Sequence, residues 1–113
     1  MRDVAAVSDL GVALRVVADI PGLIGAAYGL DGVLLREADL DPAFFDLRSG
    51  LLGELFQKCV NYRLTVAFAV PDPAAHGERF TELAREHVTH PQIRFFREEG
   101  AAWAWLQGEG TGR

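Results

Sequence analysis

Cysteine is almost missing from this chain. The single residue, Cys59, excludes an internal disulfide and a multi-cysteine zinc site. Lysine is equally scarce, with Lys58 alone among 11 basic residues. There is no basic run, and the net charge is −5 with a pI near 5.1. That balance argues against a protein that grips phosphate backbones by charge. Long apolar runs are missing too. Leu64–Val70 falls far short of the roughly 20 residues that span a bilayer. The N-terminus lacks the basic, apolar, small-residue order of a signal peptide. These absences point to a soluble, cytoplasmic domain with no membrane or nucleic-acid partner. No phosphate-loop, zinc or other cofactor pattern is present, so no cofactor, metal or catalytic residue is expected.

What remains is enough for a core. Half of the 113 residues are apolar and 24% are charged, which disfavours disorder. The length suits one domain, placed at residues 1–107. The Gly-rich tail 108–113 is expected to be disordered.

Periodicity predicts an α/β fold. Val4–Val7 and Val12–Val17 flank the turn residues Ser8-Asp9-Leu10-Gly11, which suggests an N-terminal β-hairpin. Asp19-Ile20-Pro21 reads as a helix start, and Gly29 as its C-cap. Gly32–Arg36 reads as a strand. From Leu47, apolar residues recur at 51, 52, 55, 56, 59 and 60, the stripe of an amphipathic helix ending near Tyr62. Leu64–Val70 is an uncharged run that suits a strand buried on both faces. A helix over 77–87 is expected to turn Phe80, Leu83, Ala84, His87 and Val88 to one face. Ile93–Arg97 reads as a strand near an edge. Ala101–Gln107 reads as a final helix with Trp103 and Leu106 inward. Strands separated by about four helices imply a mostly parallel central sheet.

The long helix carries the candidate surface. Gly50, Gly53, Glu54, Gln57 and Asn61 form a stripe away from its core side. Two glycines there cost about 1 kcal/mol each against alanine. Close approach by another helix, from a second subunit for example, is one reason to keep them. Room for a ligand at the helix start, with Arg48 supplying positive charge, is another. Asp39, Asp41 and Asp46 precede the helix and suit turns or caps better than a cation site. Ser49 suits a first-turn cap. Cys59 lies on the core stripe and reads as inert. His87 and His90 stand three apart with no third ligand beside them. The pairs Phe44/Phe45 and Trp103/Trp105 cannot all face inward on short elements, so surface aromatics available for contact are expected.

The run Asp39-Leu-Asp-Pro-Ala-Phe-Phe-Asp-Leu-Arg-Ser-Gly-Leu-Leu-Gly-Glu-Leu-Phe-Gln-Lys-Cys-Val-Asn-Tyr-Arg63 resembles a small bacterial family, domain-of-unknown-function family 4180. The resemblance continues through Arg79–Ala84, Arg94-Phe95-Phe96 and Ala104-Trp105-Leu106, and implies no particular chemistry. More distantly, Asp46-Leu47-Arg48-Ser49-Gly50-Leu51 is similar to the helix-opening turn of STAS domains, the anti-sigma-factor-antagonist type. That likeness implies a STAS-like layout, which the opening hairpin also suits, and, as in the regulatory members, regulation by serine phosphorylation. The phosphoacceptor position of that turn falls on Arg48 or Leu47 here.

The resulting expectation is a STAS-like α/β domain that acts by protein interaction, with a protein partner or by self-association as a homodimer, and without catalysis. Its contact residues would be Asp46, Arg48, Ser49, Gly50, Gly53, Glu54 and Gln57. The alternative is a small-molecule or anion-binding protein using the same helix start.

Overall fold

The computed structural model describes residues 2–108. Its centre is a four-stranded sheet made of β1 (Val4–Ala6), β2 (Gly32–Arg36), β3 (Thr65–Ala69) and β4 (Ile93–Phe96). The strands lie in chain order and every pairing is parallel. The helices are α1 (Ile20–Ala26), α2 (Leu51–Asn61), α3 (Glu78–Glu86) and α4 (Glu99–Leu106). This is the expected α/β class, with a parallel sheet and four α-helices among the described residues. Residues 109–113 of the expected tail lie outside that range. No described helix is long and apolar enough to cross a membrane.

The two sheet faces carry different side chains, as the two-residue period of a strand requires. One face presents Val33, Leu35, Val66, Phe68, Ile93 and Phe95 to α1, α2 and α3. The other presents Leu34, Ala67 and Ala69 to Ala102, Trp105 and Leu106 of α4. The apolar run around β3 is therefore buried on both faces, as read from its composition. Small residues on the second face let one helix lie close to the strands.

The N-terminal hairpin is not formed. β1 pairs with β2 in parallel, Val4 opposite Gly32 and Ala6 opposite Leu34. The turn residues instead form a 3₁₀ turn, Val7–Leu10, closed by Gly11 at φ 74°. From Val12 to Val17 only Leu14 is fully buried, while Val16 and Val17 are exposed. Leu14 makes an isolated parallel bridge to Leu40. A run with one side chain to bury has little to gain as a strand, and β2 offers β1 a partner on the core. The hairpin expected from the alternation and turn residues of this segment, which also suits the STAS layout, is thus replaced by a sequential parallel sheet.

Smaller expectations shift as well. Gly29, at φ 89°, lies beyond the end of α1, which is capped at Ala27. Val88 leaves the α3 core face and is exposed, because the helix ends at Glu86. On α4 it is Trp105 that turns inward with Leu106, while Trp103 is half-buried. The helix begins two residues before the expected start, and its buried positions 102, 105 and 106 follow helical spacing. Trp103 donates its indole N–H to Glu99, one turn back, at 3.1 Å. Phe44 and Phe45 are both buried, so neither stands out from the surface as an exposed aromatic.

The entry to β4 depends on a neutral histidine. His90 Nδ1 accepts the backbone N–H groups of Gln92 and Ile93, each at 3.0 Å. Its ring stacks on His87 with centroids 5.3 Å apart. Burial, then the neighbouring His87 and Arg94, hold its pKa below the ordinary 6.5. A folded pKa below the unfolded one contributes stability above pH 6.5, and that contribution is lost as pH falls towards the folded value. Melting curves of wild type and His90→Asn between neutral and mildly acidic pH check this. The variant should lose less stability on acidification, and equal losses would contradict the assignment.

Candidate functional site

The parallel sheet sends the loops after all four strands to one end. Three of them are tied there by Arg36, at the end of β2. Its guanidinium makes two bonds to Glu99, 2.8 Å to Oε1 and 2.7 Å to Oε2, and a third to Ser8 Oγ at 3.1 Å. The Arg36 and Trp103 hydrogen bonds hold the Glu99 carboxyl down at about 2.

Between β2 and α2 the chain descends through three short 3₁₀ turns at 37–39, 42–45 and 47–49. One aspartate serves each of them. Asp39 accepts from Arg36 N–H, Asp41 from Ala43 N–H, and Asp46 from Arg48 N–H. The acidic cluster is thus accounted for by local backbone bonding. No group of three or more metal-ligating side chains occurs among the described residues.

Beside this staircase lies a cleft of about 620 Å³. Pro42, Phe45, Leu47 and Phe80 give it an apolar lining. Arg48 and Asp46 come from one wall, and Gly77, Glu78 and Arg79 from the opposite one. Asp46 also accepts from Arg48 Nε at 3.2 Å, and these two bonds to Arg48 lower its pKa. Among the described residues, the Nη groups of Arg48 and the side chain of Arg79 make no hydrogen bond or ion pair. The opposite wall is the start of α3, whose N-cap is Gly77 at φ 100° with no side-chain cap. The first N–H groups of such a helix have no partner within it.

His76 closes the cleft from below. Its ring stacks on Phe45 with centroids 3.9 Å apart and meets Phe80 edge-on at 5.3 Å. Nε2 is buried without a hydrogen bond. The Glu37 carboxylate lies 3.4 Å from it, at ion-pair distance but outside hydrogen-bond geometry.

A family model described as Domain of unknown function (DUF4180) matches residues 1–106. The chain belongs to this family. No curated protein and no solved structure matches it.

Of the seven residues singled out from sequence, the fold of this DUF4180 chain brings only Asp46 and Arg48 to the cleft. Ser49 donates to the Ala43 carbonyl and accepts from Leu51 N–H, which commits its hydroxyl to the start of α2. Gly50 takes φ 78° to join the last 3₁₀ turn to the helix. Gly53, Glu54 and Gln57 are exposed on α2, and Gln57 bonds Asn61 one turn on. Cys59 is buried in the core, and desolvation pushes its thiol up to about 12.

A Cβ at Gly53 would meet nothing within 4 Å. Packing inside the monomer therefore does not require glycine there. Gly53→Ala should stabilise the isolated domain by about 0.5–1 kcal/mol through helix propensity. Urea denaturation measures this, and a destabilised variant would reveal a contact absent from this fold.

Sequence reasoning missed His76, Arg79 and Glu37. Nothing in their local spacing marks them. The adjacency of β2 and β3 brings 48, 76 and 79 to one cleft and sets Glu37 beside His76.

Proposed function

We propose that this domain binds a small organic anion in the cleft at the carboxyl ends of β2 and β3. The observation that supports this is the convergence of Arg48 from one loop with Arg79 and the uncapped start of α3 from the next. The volume is in the range of small-molecule sites, and an apolar lining with a few polar groups is their usual character. Asp46 and Glu78 share the rim. A ligand carrying hydrogen-bond donors as well as an anionic group suits that mixture best.

The test is a thermal-shift screen of carboxylates, phosphate esters and zwitterionic amino acids, followed by calorimetry of any hit. Arg48→Ala and Arg79→Ala should each weaken binding about tenfold, the size expected for one charge-assisted hydrogen bond. Both side chains are exposed, so the variants should fold. A screen without a stabilising compound, or affinities unchanged in both variants, would overturn the proposal.

The protein-interaction reading rests on a different surface. Gly53, Glu54 and Gln57 leave the polar side of α2 open, and Val60 and Tyr62 near its end are exposed. Gly53→Arg should abolish association through this face while leaving the monomer folded. Sedimentation that shows the variant still associated would remove the surface from consideration.

A further inference from the structure

The far side of α3 carries a second feature, independent of the cleft. Among the described residues β4 pairs only with β3, which leaves its other edge open. The carbonyls of Gln92 and Phe96 accept from Val66 and Val70 N–H, both at 2.8 Å. By the alternation of a parallel ladder, Phe95 turns its own N–H and C=O away from β3, towards the open edge. Alongside that edge runs a groove of about 250 Å³ between β4 and α3. Its lining includes Pro73, Ala84, Val88 and Phe95, which make it apolar, and Arg85 and Arg97, which bring charge of one sign. Val88 is 55% exposed, and both arginines are exposed, with no hydrogen bond or ion pair to any of the described residues.

We propose that this groove is a docking site for an extended acidic peptide segment, added as a strand to β4. Strand addition needs an open edge for main-chain bonds and a pocket beside it for alternate side chains, and both are here. The two unpaired arginines select the sign of the partner. They stand out on a chain whose net charge is −5. They also disfavour pairing of β4 with β4 of a second copy, which would bring four arginines together at one seam. A partner with apolar side chains entering the groove and carboxylates flanking them satisfies both features.

The probe is a short fluorescein-labelled peptide alternating glutamate and valine, followed by fluorescence anisotropy on the full chain. Saturable binding is expected, with Arg85→Glu and Arg97→Glu each weakening it about tenfold or more. A lysine–valine peptide should not bind. An otherwise identical peptide with N-methylated backbone amides should lose binding, because it cannot pair with the edge. Amide hydrogen exchange at Phe95 should slow in the complex. The proposal fails if the acidic peptide does not saturate, or if both charge reversals leave its affinity intact. It also fails if the N-methylated peptide binds as well as the parent, which would indicate charge attraction alone. Inorganic phosphate that displaces the peptide at equal concentration would show a simple anion site and would overturn the strand-addition reading.

Discussion

Replacing Phe68 with alanine should cost about 3–5 kcal/mol, the range for truncating a buried aromatic. Phe68 sits at the centre of β3, 1% exposed. Its ring stacks on Phe95 with centroids 4.6 Å apart and receives Phe56 of α2 at 5.7 Å. Phe95 in turn meets Phe80 of α3 at 5.4 Å. One ring therefore joins two strands and, through its neighbours, two helices. Truncation leaves a void that the paired strands cannot collapse to fill. A domain of this size has about 5–15 kcal/mol in total, so the variant would be left near the edge of folding. Phe68→Leu, which keeps most of the volume, should lose far less, at about 1.5 kcal/mol or below. Urea denaturation of the two variants measures the difference. A Phe68→Ala cost no larger than that of the leucine variant would mean that the aromatic cluster does not organise this core.

Much of this core was legible because burial leaves periodic traces. The stripe from Leu51 to Val60 marks α2, and its members Leu52, Leu55 and Cys59 are buried. The uncharged run 64–70 marks the strand covered on both sides. Where local pattern and long-range pairing compete, pairing wins. Val12–Val17 alternates like a strand, but β2 takes β1 and leaves that run as a connection anchored by Leu14. The same competition explains the site. Asp46 and Arg48 stand out in sequence because they open a helix. His76 and Arg79 do not, because what they meet at the cleft is a loop some thirty residues upstream, reached only when β2 and β3 align. The alanines of β3 held information that periodicity alone does not use. Small side chains at 67 and 69 say that something lies close on that face, and α4 is what lies there.

That closeness yields the second large effect, at Gly32. This glycine opens β2, opposite Val4 of β1 and Thr65 of β3, and it is buried. Its backbone is not in the left-handed region, so the need for glycine here is one of space. A Cβ would come within 2.9 Å of Leu106 Cδ2 and 3.1 Å of the Thr65 carbonyl oxygen. The carbonyl belongs to the ladder and cannot move alone. Leu106 is itself 1% exposed and packed between helix and sheet. Gly32→Val should therefore destabilise by about 1–3 kcal/mol through overpacking. Both tryptophans of the chain are on α4. Their fluorescence reports displacement of that helix before global unfolding. Shortening the neighbour separates space from any other cause. In a Leu106→Ala background the added cost of the Gly32 substitution should shrink, giving a coupling between two contacting positions. The displacement should also travel. Glu99 at the start of α4 holds Arg36, and the next residue, Glu37, faces His76 at the cleft. A Gly32 variant that remains folded should then bind any cleft ligand more weakly than wild type. Unchanged affinity alongside a shifted tryptophan signal would show that the Arg36–Glu99 bridge yields before the cleft does.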